Sequence, residues 1–338
     1  MHLKILDPGM LTTIQDNGRI GMQQYGVIVG GAMDQFAYTA ANLLVGNTGT
    51  QPVIEMTMFG GAMSFDTPVL LAICGADMSP EVNGIPVPMW RPVWLAAGAV
   101  LRMGRAIQGC RSYVAISGGL ELPLVMNSYA TYLRAGIGGV EGRALRQGDR
   151  ITLRAPSPLG AVMMEQLSAG AARAGNSEFY AAKWLVSPEM MPNYRRNPVL
   201  RVIEGPEYMH FTEKSRAQLY TEPYRITPHS DRMGYTLTGE ALRLASPLDM
   251  LSDAVTFGTI QVPPSGLPVI LMPDRQTTGG YPRIAQVITA DLPVLAQTPI
   301  GDTLTLEKVS VEEAQQLLLR ERRELDGLSL SIRLKHTY

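Results

Sequence analysis

"GDRITL" at residues 148–153 returns as "GDTLTL" at residues 301–306, and how that echo is read decides the fold. Each is a Gly-Asp turn entering a run of strand-forming residues. A looser echo accompanies it. "DNGRIGMQQYG" (16–26) and "SDRMGYTLTG" (230–239) both set an acid and an arginine ahead of a glycine and an aromatic residue. Self-similarity of this kind reads as two related β-rich lobes divided somewhere in 155–200. The alternative is that Gly-Asp turns are simply common, which requires no duplication.

Outward from the echo, short apolar or β-branched runs predict strands: "PVLLAIC" (68–74), "VLRMG" (100–104), "RSYVAIS" (111–117), "LRVIEG" (200–205), "GTIQVP" (258–263) and "PVILMPD" (268–274). "VNGIPV" (82–87) carries the Asn-Gly pair of a tight hairpin. The 34 glycines and 24 prolines are spread along all 338 residues, as many short strands joined by turns require. Helices are few. "MDQFAYTAANLLVGN" puts Met33, Phe36, Ala37, Ala40 and Leu44 on one face and stops at Gly46. Ser310 and Glu313 form a capping box before "AQQLLLRERREL". The expected class is therefore mainly β, with β-rich lobes at 1–155 and 200–310. An Ala/Ser/Gly-rich connector with some helix is expected at 156–199, and a helix and tail at 311–338.

Composition excludes several function classes. The chain is 46% hydrophobic and 17% charged, which suits a large core and not a disordered chain. A net charge of −1 offers no electrostatic grip on nucleic acid or an anionic membrane. No apolar run approaches the roughly 20 residues of a membrane helix. The N-terminal "MHLKILDPGM" has no signal-type apolar core, and Cys74 and Cys110 read as buried thiols. The expected compartment is the cytoplasm. There is no G-x-x-x-x-G-K-[ST] loop, no G-x-G-x-x-G after a strand and no G-x-S-x-G elbow. The four histidines have no metal-ligand spacing, so no metal is expected.

What remains is a set of polar segments in an apolar chain. "TTIQDNGRIG" holds Gln15, Asp16 and Arg19, "NSYATYLRAGIGG" holds Asn127, Ser128, Thr131 and Arg134, and "HSDRMGY" holds His229, Asp231 and Arg232. "DRQTTGGYP" holds Asp274, Arg275, Gln276, Thr277, Thr278, Gly279, Gly280 and Tyr281. Converged, they would make a pocket with fixed guanidiniums and amide donors for a carboxylate or an activated carbonyl. Asp16, Asp231 and Asp274 would orient the arginines or relay protons, and Gln15, Arg19, Ser128, His229, Arg232, Gln276, Thr277, Thr278, Gly279, Gly280 and Tyr281 would bind substrate. Against this, a lone Asp–Arg pair is usually a turn brace, and a lone histidine such as His229 is usually structural.

The segments "PGMLTTIQDNGRIG", "GAMDQFAYTAANLLVGN", "YVAISGGLELP", "RAGIGGVEGRALRQGD", "SDRMGYTLTG" and "VILMPDRQTTGGYPRIAQVITADL" resemble the biotin-dependent carboxyltransferase family. That family takes in the C-type subunit of 5-oxoprolinase, KipA-type proteins and one of the two domains named after allophanate hydrolase subunits, found in urea carboxylase. The resemblance implies cyclophilin-like barrel lobes. It also implies partners: a KipI-type chain as the B-type subunit and a LamB/YcsF-type chain as the A-type subunit. Together these open the small cyclic amide 5-oxo-L-proline to L-glutamate with ATP. Biotin, if used, would arrive on a separate carrier. A carboxyltransferase acting on urea or another amide is the first alternative implied. A non-enzymatic KipA-type regulator binding a KipI-type kinase inhibitor is the second. One loop departs from the family pattern Gly-Ser-x-Ser-Thr, reading Asn127-Ser128-Tyr129-Ala130-Thr131. If that loop touches ligand, Tyr129 would narrow or redirect the site.

Overall fold

The computed structural model describes residues 1–337; Tyr338, the end of the expected tail, lies outside the described residues. The chain divides into two compact units. The first comprises Met1–Gly18, Asp34–Pro192 and residues from Arg322 onward, and the second Arg19–Met33 and Asn193–Glu321.

The first unit is built from two six-stranded sheets. One runs Arg150–Thr152, His2–Asp7, Ala62–Phe65, Val100–Arg102, Glu81–Val82, Ile85–Pro86. The other runs Phe179–Ala181, Pro92–Leu95, Val69–Asp77, Gln108–Ile116, Val53–Thr57, Leu11–Gln15. Leu3, Ile5, Met63, Phe65 and Leu101 of the first sheet share one core with Ile54, Val69, Leu71, Ile73 and Val114 of the second. The unbroken apolar run at 69–76 follows from burial on both faces. Val69, Leu71 and Ile73 enter that core, while Leu70, Ala72 and Cys74 alternate to the face on which helices α1 (Gln35–Leu44) and α2 (Pro158–Arg173) pack. Asp34 caps α1 by accepting from the Ala37 N–H at 2.9 Å, and Gly46, at φ +74°, ends it. The predicted hairpin is present, with Asn83 and Gly84 at φ +51° and +79°.

The second unit is a closed barrel of seven strands: Val199–Glu204, Arg283–Val287, Thr259–Gln261, Val269–Leu271, Gly234–Thr238, Tyr224–Ile226 and Thr303–Lys308. Closure is made by the parallel pairing of the first and last strands. Leu200, Val202, Ile260, Ile270, Ile284 and Leu304 fill its core. Helix α3 (Glu213–Thr221), which no local pattern had announced, packs against strand Thr303–Lys308, and the short α4 (Leu292–Ala296) follows the strand Arg283–Val287.

The stretch expected to connect the lobes is structured. Ser157 caps α2, Pro158 opens it, and Phe179–Ala181 pairs with Pro92–Leu95, so residues 156–192 belong to the first unit. Alanine-rich sequence loses strand pattern because it favours helix. Gly170 is required there: a Cβ would stand 2.6 Å from the Tyr180 ring. Residues 19–33, expected in the first lobe, belong to the second unit. The capping box opens α5 (Val311–Thr337), with the Glu313 N–H on Ser310 Oγ at 3.0 Å. Its residues to Glu321 go with the second unit and those from Arg322 with the first.

The Gly-Asp echo has a structural counterpart. In the first unit the Gly148 N–H donates to the Ile5 carbonyl at 2.8 Å, and the Ile5 N–H returns to the Asp149 carbonyl at 2.9 Å. In the second, Gly301 donates to Ile226 at 2.9 Å and Ile226 returns to Asp302 at 3.0 Å. Each aspartate carboxylate also takes a forked bond from an arginine, Asp149 from Arg143 and Asp302 from Arg196. The bonds from Arg143 hold the Asp149 carboxyl below the ordinary carboxylate range. A depressed folded-state pKa stabilises above the unfolded pKa, and that contribution is lost as pH falls through the folded one. We expect Asp149→Asn to lower the unfolding free energy by about 1 kcal/mol at pH 7, and to flatten the loss of stability below about pH 4, as read by urea titration across pH. An unchanged acid limb would remove Asp149 from the account.

Candidate functional site

In the second unit the strands Gly234–Thr238 and Val269–Leu271 pair antiparallel, which brings residue 232 at the start of one beside residue 274 at the end of the other. The Asp274 N–H donates to the Arg232 carbonyl at 2.8 Å. Their side chains then form a forked pair, Nε to Oδ2 at 3.0 Å and Nη2 to Oδ1 at 3.1 Å. Both residues are buried. Arg232 Nη2 also donates to the Gly31 carbonyl, and the Gly30 N–H donates to the Pro273 carbonyl at 3.1 Å. Gly30 adopts φ +63°, and a Cβ there would stand 3.5 Å from Asp274 Oδ1 and 3.9 Å from Arg19 Nη1. Arg19 is fully buried, and its N–H holds the Val29 carbonyl at 2.7 Å. The predicted Arg19, Arg232 and Asp274 therefore meet around a glycine pair.

Arg275 joins them. Its Nε donates to the Val255 carbonyl at 3.2 Å. Burial pulls its guanidinium down to about 10, with neighbouring Asp274 opposing, so it stays cationic at neutral pH. Three buried guanidiniums on a rigid barrel rim are suited to an anion or a developing oxyanion.

The "DRQTTGGYP" segment leaves this cluster as a hairpin arm. Thr278 and Gly279 pair with Ala254 and Asp253. Gln276, Thr278, Gly280 and Tyr281 are exposed, and Thr277 is half-buried. Gly279 has an ordinary backbone angle, and a Cβ there would stand 2.3 Å from Nε2, the movable end of the Gln261 side chain. Arg283, just beyond, forks onto Glu207 (Nε to Oε2 2.9 Å, Nη2 to Oε1 2.8 Å) and reaches Asp253 at 2.8 Å. Hydrogen bonds from Arg283 lower the Glu207 pKa. His229 and Asp231 are exposed. Asp231 Oδ1 accepts the Met233 N–H at 2.7 Å and the Gly234 N–H at 3.2 Å, bracing the turn.

A separate polar cluster lies in the first unit. Asp16 Oδ1 accepts from the Gly18 N–H at 2.8 Å and from Ser128 Oγ at 2.7 Å, and Oδ2 accepts the Tyr129 N–H at 2.6 Å. The carboxylate thus organises the 127–130 loop, where Met126 and Asn127 hold positive φ. Tyr129, the departure from the family pattern, leans on the core and accepts from Arg154 Nη2 at 2.9 Å. Beside them Gln15 Nε2 donates to Thr13 Oγ1 at 2.9 Å and to the Thr131 carbonyl at 3.3 Å. Gln15 Oε1 and Thr131 Oγ1 are buried with no hydrogen-bond partner among the described residues. Each such group left unmet costs about 1–3 kcal/mol.

Gly30 and Gly31 are absent from the sequence-derived segments, while Arg275 and Thr131 stood in them without an assigned role. The two glycines had a signal: "VGG" at 29–31 is a glycine pair like the one at 279–280. Among the described residues no three His, Cys, Asp or Glu side chains gather as around a metal ion, and no helix is long and apolar enough to cross a membrane.

Comparison with known proteins agrees with this architecture. The family described as carboxyltransferase domain, subdomain A and B, matches residues 25–308. The chain is 37% identical over 326 residues to the C-type subunit of 5-oxoprolinase from Haemophilus influenzae, covering 96% of this chain and 97% of that one. It is 36% identical over 328 residues to its Escherichia coli counterpart, with 97% of each covered. The crystal structure of K. lactis urea amidolyase matches with a TM-score of 0.85 at 26% identity, across 97% of this chain and 20% of that one.

Asp274→Asn is expected to cost about 3–5 kcal/mol, since it strands the buried Arg232, whereas Asp231→Asn should cost no more than about 1 kcal/mol. Denaturant unfolding of both variants checks this; equal losses would mean that the Arg232–Asp274 pair does not hold the rim.

Proposed function

Because this chain belongs to the carboxyltransferase family with subdomains A and B, we propose that it is the C-type subunit of an ATP-dependent 5-oxoprolinase. The observation that carries the proposal is the end-to-end match, at 37% and 36% identity, to two relatives that bear that name. A protein named as a subunit is one part of an assembly. The partners proposed are a KipI-type chain (the B-type subunit) and a LamB/YcsF-type chain (the A-type subunit), in the cytoplasm.

The reaction adds water to the lactam carbonyl and breaks the ring C–N bond, leaving a carboxylate and an ammonium group. ATP supplies the driving force. Nucleotide binding is assigned to a partner chain, since this sequence carries no phosphate loop of the G-x-x-x-x-G-K-[ST] kind. The part assigned here is recognition. Arg232 is locked at two bonds by Asp274, and an immobile guanidinium beside Arg19 and Arg275 suits the substrate carboxylate or the oxyanion of ring opening.

The likeness to K. lactis urea amidolyase across nearly the whole chain favours a second reading, a carboxyltransferase acting on urea or another amide nitrogen. Carboxybiotin would then come on a separate carrier.

Co-expression with the genomic neighbours decides between them. The assembly is expected to co-purify and to release glutamate from 5-oxoproline only with ATP, while the chain alone neither hydrolyses ATP nor opens the ring. Turnover by the single chain overturns its assignment to a multi-chain enzyme. Biotin-dependent carboxylation of urea by the assembly, without glutamate release, establishes the second reading.

A further inference from the structure

Helix α5 shows most of its length to solvent: among its described side chains only Ile332 is buried. On its outer face Leu319, Arg323, Asp326 and Leu330 follow one another at steps of four, three and four residues. At 3.6 residues per turn that spacing keeps all four on one narrow stripe. All four are exposed, Leu319 at 49% and Leu330 at 58%, and Leu334 continues the stripe at 53%. Neither Arg323 nor Asp326 has a side-chain partner among the described residues. A single exposed leucine is ordinary on a protein surface. The order of these four is what distinguishes the stripe. It runs apolar, positive, negative, apolar in one direction and apolar, negative, positive, apolar in the other.

Such a stripe is complementary to itself run backwards. Two copies laid antiparallel about a twofold axis between residues 324 and 325 set Leu319 against Leu330 of the second copy and Arg323 against its Asp326, and the symmetry makes each contact twice. Laid parallel, the stripe would put Arg323 on Arg323 and Asp326 on Asp326. A slip of three residues either way in the antiparallel pair also brings like charges together. The two central charges thus select both orientation and register. We propose that α5 is a self-association surface, pairing antiparallel with α5 of a second copy of this chain through Leu319, Arg323, Asp326 and Leu330. The stripe is about 16 Å long, at 1.5 Å per residue from Leu319 to Leu330, so the contact is small and the pairing reversible. Pairing of this kind doubles whatever assembly the chain enters, whichever reaction that assembly performs.

Sedimentation equilibrium of the full chain and of charge-reversal variants tests this. Wild type is expected to pass from monomer to dimer with a Kd on the order of 100 μM. Arg323→Asp leaves two acids on the stripe and Asp326→Arg two bases, so each alone is expected to raise that Kd at least about tenfold. Mixed in equal amounts, the two variants face each other with opposite charges and are expected to associate within about threefold of the wild-type Kd. Both positions are exposed, so each variant is expected to keep the wild-type Tm. A wild-type chain that stays monomeric up to about 1 mM overturns the proposal. So does a dimer that the reversals leave unchanged, or that mixing fails to restore. Register is read by cysteine cross-linking, since the native Cys74 and Cys110 are buried. Leu319→Cys mixed with Leu330→Cys is expected to form an interchain disulfide at least about tenfold faster than either variant alone, and equal rates overturn the antiparallel pairing. Loss of a partner chain from the co-purified assembly in Arg323→Asp, with the wild-type chain monomeric, assigns the face to that partner and overturns the pairing as well.

Discussion

The rim of the barrel is arranged around the salt bridge between Arg232 and Asp274. A buried guanidinium is tolerable only where its donors are met, and here they are met by a carboxylate on the neighbouring strand and by the carbonyl of Gly31. The second contact is made by a segment that needs glycine for its backbone angles. Gly30 and Gly31 hold φ +63° and +87°, while a Cβ at Gly30 would meet Asp274 and Arg19 only at ordinary contact distance, 3.5 and 3.9 Å. The pair thus sets the ends of two barrel strands, the path of the 19–33 segment and the placement of Arg19 beside Asp274.

Elsewhere acids serve as braces. Asp16 accepts three bonds from the 18 and 128–129 region, and Asp231 accepts two from its own turn. Carboxylates used in this way fix loop geometry, and a precise site needs such fixed loops.

Elements with strong local signals were legible in the sequence: α1 with its cap and stop, the Asn-Gly hairpin, the capping box of α5 and the apolar strands at 69–77, 108–116 and 199–204. The Gly-Asp echo was legible too, and its matching hydrogen-bond rings give it physical content. What failed was connectivity. Nothing local in 19–33 tells that it belongs with a barrel whose strands begin at residue 199, because that membership rests on Gly30, Gly31 and Met33 meeting residues far along the chain. In the 156–192 stretch some helix was legible, and α2 is there, but its membership in the first unit rests on packing that its linker-like composition does not display. Among site residues, Arg19, Arg232 and Asp274 stood out by type. Arg275 and Thr131 stood in the polar segments without a role, and what sets them apart is burial and unmet bonds, which no sequence displays.

The two units are interleaved along the chain, changing over at residues 18/19, 33/34, 192/193 and 321/322. On the ribosome this inverts the usual order. The first unit takes residues 1–18 before any of the second, yet it also takes the 322–337 part of α5, which follows the last residue of the barrel unit, so the unit started first is completed second. The barrel, by contrast, has all its pieces once residue 321 is out. The 1–18 and 34–192 segments of the first unit thus precede, by more than a hundred residues, the stretch of α5 that joins them.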